Sequence, residues 1–228
     1  MAINLTAYKQ VLAELVPYNA RLVAVSKTKP VEDIEELYGQ GQRIFGENYV
    51  QELVDKEGVL PHDIEWHFIG HLQTNKVKYI APFVHTIHAV DSYKLLLEIN
   101  KQALKHNRTV NCLLQLHIAA EETKFGMDTT ELYTLLDTWQ QEQPTFGGVR
   151  IAGLMAMATN TDDQQQIRKE FQQVKTIFDT VKHKYFSEQD YFKERSTGMS
   201  ADYHIALEEG STMIRIGSLL FGERNYNK

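Results

Sequence analysis

Short runs in which apolar residues dominate or alternate with polar ones recur at 22–26, 44–46, 66–69, 85–89, 110–118, 149–155, 192–196 and 213–216, each with the length and composition of a β-strand. Between them apolar residues return every three or four positions. Val31, Ile34, Leu37 and Tyr38 do so, as do Leu95, Leu96 and Ile99, and Ile167, Phe171, Val174 and Phe178, which predicts helices with one buried face. Pro30 stands where the first of these helices should begin, and Gly39 and Gly41 where it should end. A further helix over about 4–15 precedes the first strand, and the polar stretch 160–166 reads as a helix start. Strands and helices in strict alternation call for a parallel sheet, and eight of each allow it to close into a single (β/α)8 TIM barrel spanning 1–228 as one domain. The second and seventh runs are short and polar, which leaves an open doubly wound sheet as the alternative. No Gly-x-Gly-x-x-Gly follows the first strand to support a dinucleotide site.

Composition narrows the function classes. With 43% hydrophobic and 24% charged residues over 228 positions, the chain can bury a sizeable core. Its net charge of -6 argues against general affinity for nucleic acid. No window approaches the length of apolar chain a membrane span needs, and the first fifteen residues do not read as a targeting segment. A single cysteine, Cys112, excludes an intrachain disulfide framework and fits a reducing compartment, so the expectation is a cytoplasmic protein, monomeric by default.

Working residues of a barrel cluster where its strands end, so the chemistry is expected in the tails of the eight runs. In Val23-Ala-Val-Ser-Lys27 the two-residue period carries an apolar face inward and ends it on a lysine. Desolvation disfavours the ammonium, and the neutral amine is the form that attacks an aldehyde to make a Schiff base. A carboxylate partner across the barrel would explain the same lysine equally well. Lys29 shares the parity but precedes Pro30, at a helix entrance where water should reach it. The last two tails, Ser196-Thr-Gly-Met-Ser200-Ala-Asp202 and Arg215-Ile-Gly217-Ser218, are the loops with which barrels often bind phosphate. Small residues there let N–H groups approach, and the Ser200 and Ser218 hydroxyls can donate. Either loop alone would pass for ordinary turns and caps; the two together favour phosphate. Arg215 has the parity of Gly217, so its guanidinium enters the same cavity, either toward an acceptor such as a pyridine nitrogen or into an ion pair with Glu47 or Asp202.

At these residues the sequence resembles the pyridoxal phosphate (PLP) homeostasis protein family, also called the YggS/PROSC family. The matching segments include Ala24-Val-Ser-Lys-Thr-Lys-Pro30, Phe45-Gly-Glu-Asn-Tyr-Val-Gln-Glu52, Trp66-His-Phe-Ile-Gly-His-Leu-Gln-Thr-Asn-Lys76, Gly153-Leu-Met155, Gly198-Met-Ser-Ala-Asp202 and Ile214-Arg-Ile-Gly217. The resemblance implies an alanine racemase N-terminal-domain-like barrel in which Lys27 holds pyridoxal 5'-phosphate as a Schiff base. It places Ser200, Gly217 and Ser218 at the phosphate, Arg215 at the pyridine nitrogen, and Asn48 and Met157 beside the cofactor. Three positions depart from the family pattern: Thr197 stands for a common methionine, Ser218 for a frequent threonine, and His117 for a common asparagine.

The role implied is to store, buffer or deliver PLP within vitamin B6 homeostasis, with PLP-dependent apoenzymes as recipients. A PLP-dependent racemase or lyase is the enzyme alternative, and a Schiff-base aldolase without PLP a third. An arginine does not protonate the pyridine nitrogen, so the ring stays a weaker electron sink. A two-base racemase would add a second domain, for which little chain follows Phe221-Gly222-Glu223-Arg224; Tyr49, His117 or His204 could replace its base only if the fold brings one over the ring. No metal site is expected: His67-x-x-x-His71 has ligand spacing only on a helix, where Gly70 and a β-like pattern intervene, and His85 and His88 have opposite parity. Glu121, Glu122 and Lys124 read as a solvated loop after the fifth strand.

Overall fold

In the computed structural model, which describes residues 3–121, 123–142 and 146–222, eight parallel strands close on themselves in sequence order. The strands are β1 (Arg21–Val25), β2 (Ile44–Glu47), β3 (Glu65–Phe68), β4 (Thr86–Val90), β5 (Val110–Leu116), β6 (Val149–Ala156), β7 (Glu194–Ser196) and β8 (Met213–Ile216). The helices are α1 (Leu5–Leu15), α2 (Val31–Gly39), α3 (Val50–Glu57), α4 (Val77–Ile80), α5 (Tyr93–Lys105), α6 (Thr129–Glu142), α7 (Gln164–Tyr185), α8 (Tyr203–Glu208) and α9 (Ser218–Phe221). All eight expected strands are present, with ends displaced by no more than two residues. The closed barrel, not the open sheet, is the architecture, because β1 pairs with β8 as well as β2, with Arg21 opposite Met213 and Ala24 opposite Ile216.

Local chemistry explains where the elements begin. The Asn4 side chain accepts from the Ala7 N–H at 3.0 Å, capping α1, which buries Ala7, Tyr8, Val11 and Leu15. Pro30 is the residue from which α2 starts. Within 160–166, Asp163 accepts from the Gln165 and Gln166 N–H groups and opens the 22-residue α7, whose Ile167, Phe171, Val174, Phe178 and Val181 face inward.

Two kinds of core result. Between strands and helices lies a continuous apolar layer that includes Phe45, Phe68, Leu96 and Phe186. Each such side chain stabilises the fold by roughly 1.5–3 kcal/mol. Inside the barrel, a small cluster of Ala89, Leu113, Ala152 and Met155 shares the bore with buried polar groups, among them His67, His88, Ser196 and Arg215. Gly153 is fixed by close approach: a Cβ there would sit 1.8 Å from the Glu194 carbonyl oxygen of the neighbouring strand.

The expected weakness of the seventh strand has a structural counterpart. β7 has three residues and one ladder partner in β8, Ser196 opposite Met213. Side chains reinforce this seam: the Thr212 hydroxyl donates to Glu194 at 2.9 Å, and the Ser211 hydroxyl donates to the Thr197 carbonyl at 2.8 Å.

Candidate functional site

The strand tails open onto a cavity of about 740 Å³, part of it open to solvent, lined by Val25, Lys27, Asn48, Ile69, Met157, Met199, Ser200, Ala201, Arg215, Gly217 and Ser218. All seven residues singled out in the sequence line it: Lys27, Asn48, Met157, Ser200, Arg215, Gly217 and Ser218. Val25, Ile69, Met199 and Ala201 carry no such signal in the sequence, although each lies at or just beyond a strand end. Ile69 directly follows β3, and Met199 and Ala201 flank Ser200.

Lys27 reaches the cavity from a turn rather than from the strand itself, since β1 ends at Val25. Both neighbours of Lys27 are held. The Ser26 hydroxyl donates to Glu47 Oε1 at 2.6 Å, the Ser26 carbonyl accepts from Lys56 Nζ at 2.8 Å, and the Thr28 N–H donates to Glu52 Oε1 at 2.6 Å. Lys56 joins these anchors, lying 2.8 Å from Glu47 and 2.7 Å from Glu52. Burial raises the Glu47 carboxyl, and the Lys56 charge and hydrogen bonds oppose it. Thr28 itself adopts φ 63°, the left-handed region that a β-branched residue rarely enters. Lys29 is not left to water, as its place before Pro30 suggested. Its ammonium donates to the Phe221 carbonyl at 2.6 Å, tying the first turn to the end of α9.

Asn48 follows β2, and its Oδ1 is buried without a hydrogen-bond partner. Gly70 makes room for it: a Cβ at that position would come within 2.3 Å of the Asn48 carbonyl oxygen. Opposite, the Asp202 carboxylate accepts from the Met199 N–H at 2.6 Å and folds the loop that presents Ser200. Gly217 caps α9, and its carbonyl takes the N–H groups of Leu220 and Phe221 at 3.0 and 2.9 Å. The opening N–H groups of a helix lack partners within it, so those of α9 start beside Gly217 and Ser218 at the cavity wall.

Arg215 does not form the ion pair weighed for it with Glu47 or Asp202. Its guanidinium donates to the Ser196 carbonyl and hydroxyl, both at 2.7 Å, and to the Ala156 carbonyl at 3.1 Å. Glu47 is taken by Lys56. Burial pulls the Arg215 pKa down to about 10, partly offset by the Asp202 charge, so the group remains cationic at neutral pH. Behind it the polar chain continues: Ser196 Oγ lies 3.0 Å from His88 Nδ1, and His88 Nε2 lies 2.8 Å from His67 Nδ1.

The other flagged residues fall elsewhere. His117 Nε2 is 3.0 Å from the Glu121 carbonyl, His204 pairs with Glu14 at 3.1 Å, and Tyr49 lines a neighbouring cleft with Lys76 and Tyr79. None of the three lines the Lys27 cavity. The loop expected to be merely solvated is cross-tied: Lys124 donates to the Ala158 carbonyl at 2.7 Å and meets Glu121 at 2.9 Å. The Asn160 N–H and Lys124 hold the Glu121 carboxyl down at about 2. Glu122, Glu223 and Arg224 lie outside the described residues. His67 and His71 do not converge, since His67 is buried in β3 while His71 stacks on Phe125 with ring centroids 4.0 Å apart. Among the described residues, no helix is long and apolar enough to cross a membrane.

Comparison with known proteins sets this geometry in context. The family model described as alanine racemase, N-terminal domain, matches residues 3–225. A pyridoxal phosphate homeostasis protein of Aquifex aeolicus is 40% identical over 208 residues, covering 91% of this chain and 88% of that protein. The human pyridoxal phosphate homeostasis protein is 38% identical, covering 91% and 78%. The structure of PipY from Synechococcus elongatus with PLP bound superposes with a TM-score of 0.85 at 33% identity, covering 95% of this chain and 99% of that one.

Proposed function

This chain belongs to the pyridoxal phosphate homeostasis protein family, and from that premise we propose that it binds PLP in the Lys27 cavity and serves intracellular PLP homeostasis. The observation that carries the proposal is convergence: seven residues drawn from the tails of β1, β2, β6, β7 and β8 line one cavity at the end of the barrel where working residues gather. The buried, unpartnered Asn48 Oδ1 on its wall is the kind of acceptor that a bound polar group completes.

The cofactor supplies an aldehyde for Schiff-base formation, a phosphate and a ring nitrogen. Lys27 offers the amine, held in place by the contacts of Ser26 and Thr28. Ser200, Gly217 and Ser218 offer hydroxyls and backbone N–H groups for the phosphate. Arg215 would face the ring end, and being cationic it would donate a hydrogen bond to an acceptor there without surrendering a proton. Asn48 and Met157, which line the same cavity, would flank the ring.

The reading is of a holder and deliverer of cofactor rather than a racemase or lyase. The described lining residues include no histidine, tyrosine or carboxylate to serve as a second proton-transferring group beside Lys27. The proposal extends to residues 1–228 acting as one PLP-binding domain, monomeric, in the cytoplasm, with PLP-dependent apoenzymes as recipients. The buried, unpaired Cys112 suits that compartment.

The test is to incubate the purified protein with PLP, reduce with borohydride and map the modified peptide by mass spectrometry. A single adduct on Lys27 is expected. An adduct on another lysine, or none, overturns the assignment, and turnover of D- or L-amino acids at the rate of a dedicated racemase overturns the role.

A further inference from the structure

At the opposite end of the barrel, where strands begin, Glu65, His67 and His85 each offer one ligand atom, and these atoms lie within 4.8 Å of one another. His67 is the fixed member. It is fully buried, its Nδ1 is engaged by His88 Nε2 at 2.8 Å, and its remaining nitrogen, Nε2, is buried without any hydrogen-bond partner. A buried polar atom left so has lost its hydration without replacement, which calls for a ligand or a functional reason.

The other two members stand at the mouth. Glu65 and His85 are about two-fifths exposed in their side chains, at 42% and 40%, with Glu65 Oε2 3.8 Å from His85 Nδ1. The His85 ring lies nearly parallel to that of His67, at 7° and 5.5 Å between centroids. We propose that Glu65, His67 and His85 bind a divalent transition metal, Zn²⁺ by the character of the ligands, at the mouth of the barrel remote from Lys27.

Two imidazoles and one carboxylate are a ligand set zinc favours, with a fourth position left for water. Zinc–ligand bonds of about 2.0–2.2 Å imply ligand atoms roughly 3.3 Å apart, so Glu65 and His85 must move inward by about 1 Å. Both are half-exposed at strand starts, and His85 would exchange its 2.9 Å contact with the Thr86 hydroxyl for the metal, while His67 is held. The His88 contact would act as the outer hydrogen bond that orients a metal-binding histidine once the His67 proton sits on Nδ1 and Nε2 keeps its lone pair. Burial keeps both His67 and His85 neutral around pH 7, the form that binds metal. Of the nearby cations, Arg21 is paired with Glu194 at 2.7 Å and Arg108 donates to the Ala81 and Phe83 carbonyls, while Arg150 and Lys193 line the same cavity as His85.

The test uses the untagged full-length protein, stripped with EDTA. Zn²⁺ is titrated at pH 7.5 by calorimetry, and Co²⁺ by visible absorption. One equivalent is expected, with the intense d–d bands of four- or five-coordinate cobalt. His85→Ala and Glu65→Ala should each weaken binding at least tenfold while leaving PLP titration unchanged, since neither residue lines the Lys27 cavity. Both residues lie at the surface, so these variants keep the test open even if His67→Ala fails to fold. Absence of the cobalt bands, or undiminished Zn²⁺ affinity in either variant, overturns the site. The exposed pairs His62–Glu57, His71–Asp91 and His204–Glu14 remain intact in both variants and would then account for any binding left.

Discussion

Lys56 Nζ lies 2.8 Å from Glu47 Oε1, and the same ammonium donates to the Ser26 carbonyl at 2.8 Å, so one buried cation joins the end of β2 to the residue before Lys27. Removing it strands a carboxylate whose other oxygen, Oε2, already has no hydrogen-bond partner. Lys56→Met should therefore cost about 3–5 kcal/mol, read as a lower urea midpoint. Lys56→Met combined with Glu47→Gln should recover part of that loss. A single variant as stable as the parent would show that the pair does not support the turn.

Thr28 at φ 63° carries backbone strain, of roughly 1–2 kcal/mol for a residue with a Cβ. Thr28→Gly relieves it and keeps the N–H that reaches Glu52, at the expense of a more flexible unfolded chain. A net gain of up to about 1 kcal/mol, or 2–4 °C in Tm, is expected. A loss of stability would show that the conformation is not strained.

Asn48→Ala separates binding from folding. With the buried Oδ1 gone, the protein without cofactor should be as stable as the parent or more so, while PLP affinity falls by a factor of about 3–10, equivalent to one hydrogen bond. Absorbance titration and urea denaturation read the two effects independently.

Lys27→Ala should lose the borohydride-trapped adduct yet retain weaker, reversible PLP binding, because Ser200, Gly217 and Ser218 line the cavity without depending on the amine. Adding Ser200→Ala and Ser218→Ala should weaken it further, by roughly 10–100-fold at the worth of two hydroxyl hydrogen bonds. Loss of all affinity in a folded Lys27→Ala protein would contradict this division.

His67 and His88 are fully buried, and burial holds both well below their ordinary value of 6.5. In the unfolded chain they take up protons near that value, so unfolding is proton-coupled in the acid range. Stability should be complete above about pH 6.5 and fall as the pH drops toward the folded-state values, with a limiting slope of about 2.7 kcal/mol per pH unit for two groups. Urea midpoints between pH 7.5 and 5, with EDTA present, measure it. His88→Asn should reduce the slope by half, and a pH-independent midpoint would refute the coupling.

Much of this was legible along the chain because strand period and local capping are short-range effects. The parity of Val23, Val25 and Lys27 pointed the amine toward the cavity, and that of Arg215 and Gly217 put both on its wall. Pro30 marked one helix start, and the ranges 4–15 and 160–166 held the caps Asn4 and Asp163, by chemistry confined to a few residues. The supports of the site were not legible. Lys56 and Glu52 sit on a helix whose charges look solvated in sequence, and only the packing of α3 against the barrel turns them inward. Lys29 finds carbonyls more than 190 positions away, a partner no local rule supplies. Arg215 was visible as an inward charge with Glu47 among its candidate partners, but which partner each chose depended on barrel closure.

The row from Arg215 through Ser196 and His88 to His67 runs along the bore, and its members have a sense of direction. A guanidinium only gives protons, so Ser196, already receiving one, most simply passes its own to His88, which passes one on to His67. In that sense the outermost nitrogen of His67 carries hydrogen. A group that demands its lone pair instead must turn every bond in the row around and leave the Ser196 hydroxyl seeking a new acceptor beside Arg215. One row of hydrogen bonds thus runs from the outward nitrogen of His67 to the hydroxyl beside Arg215.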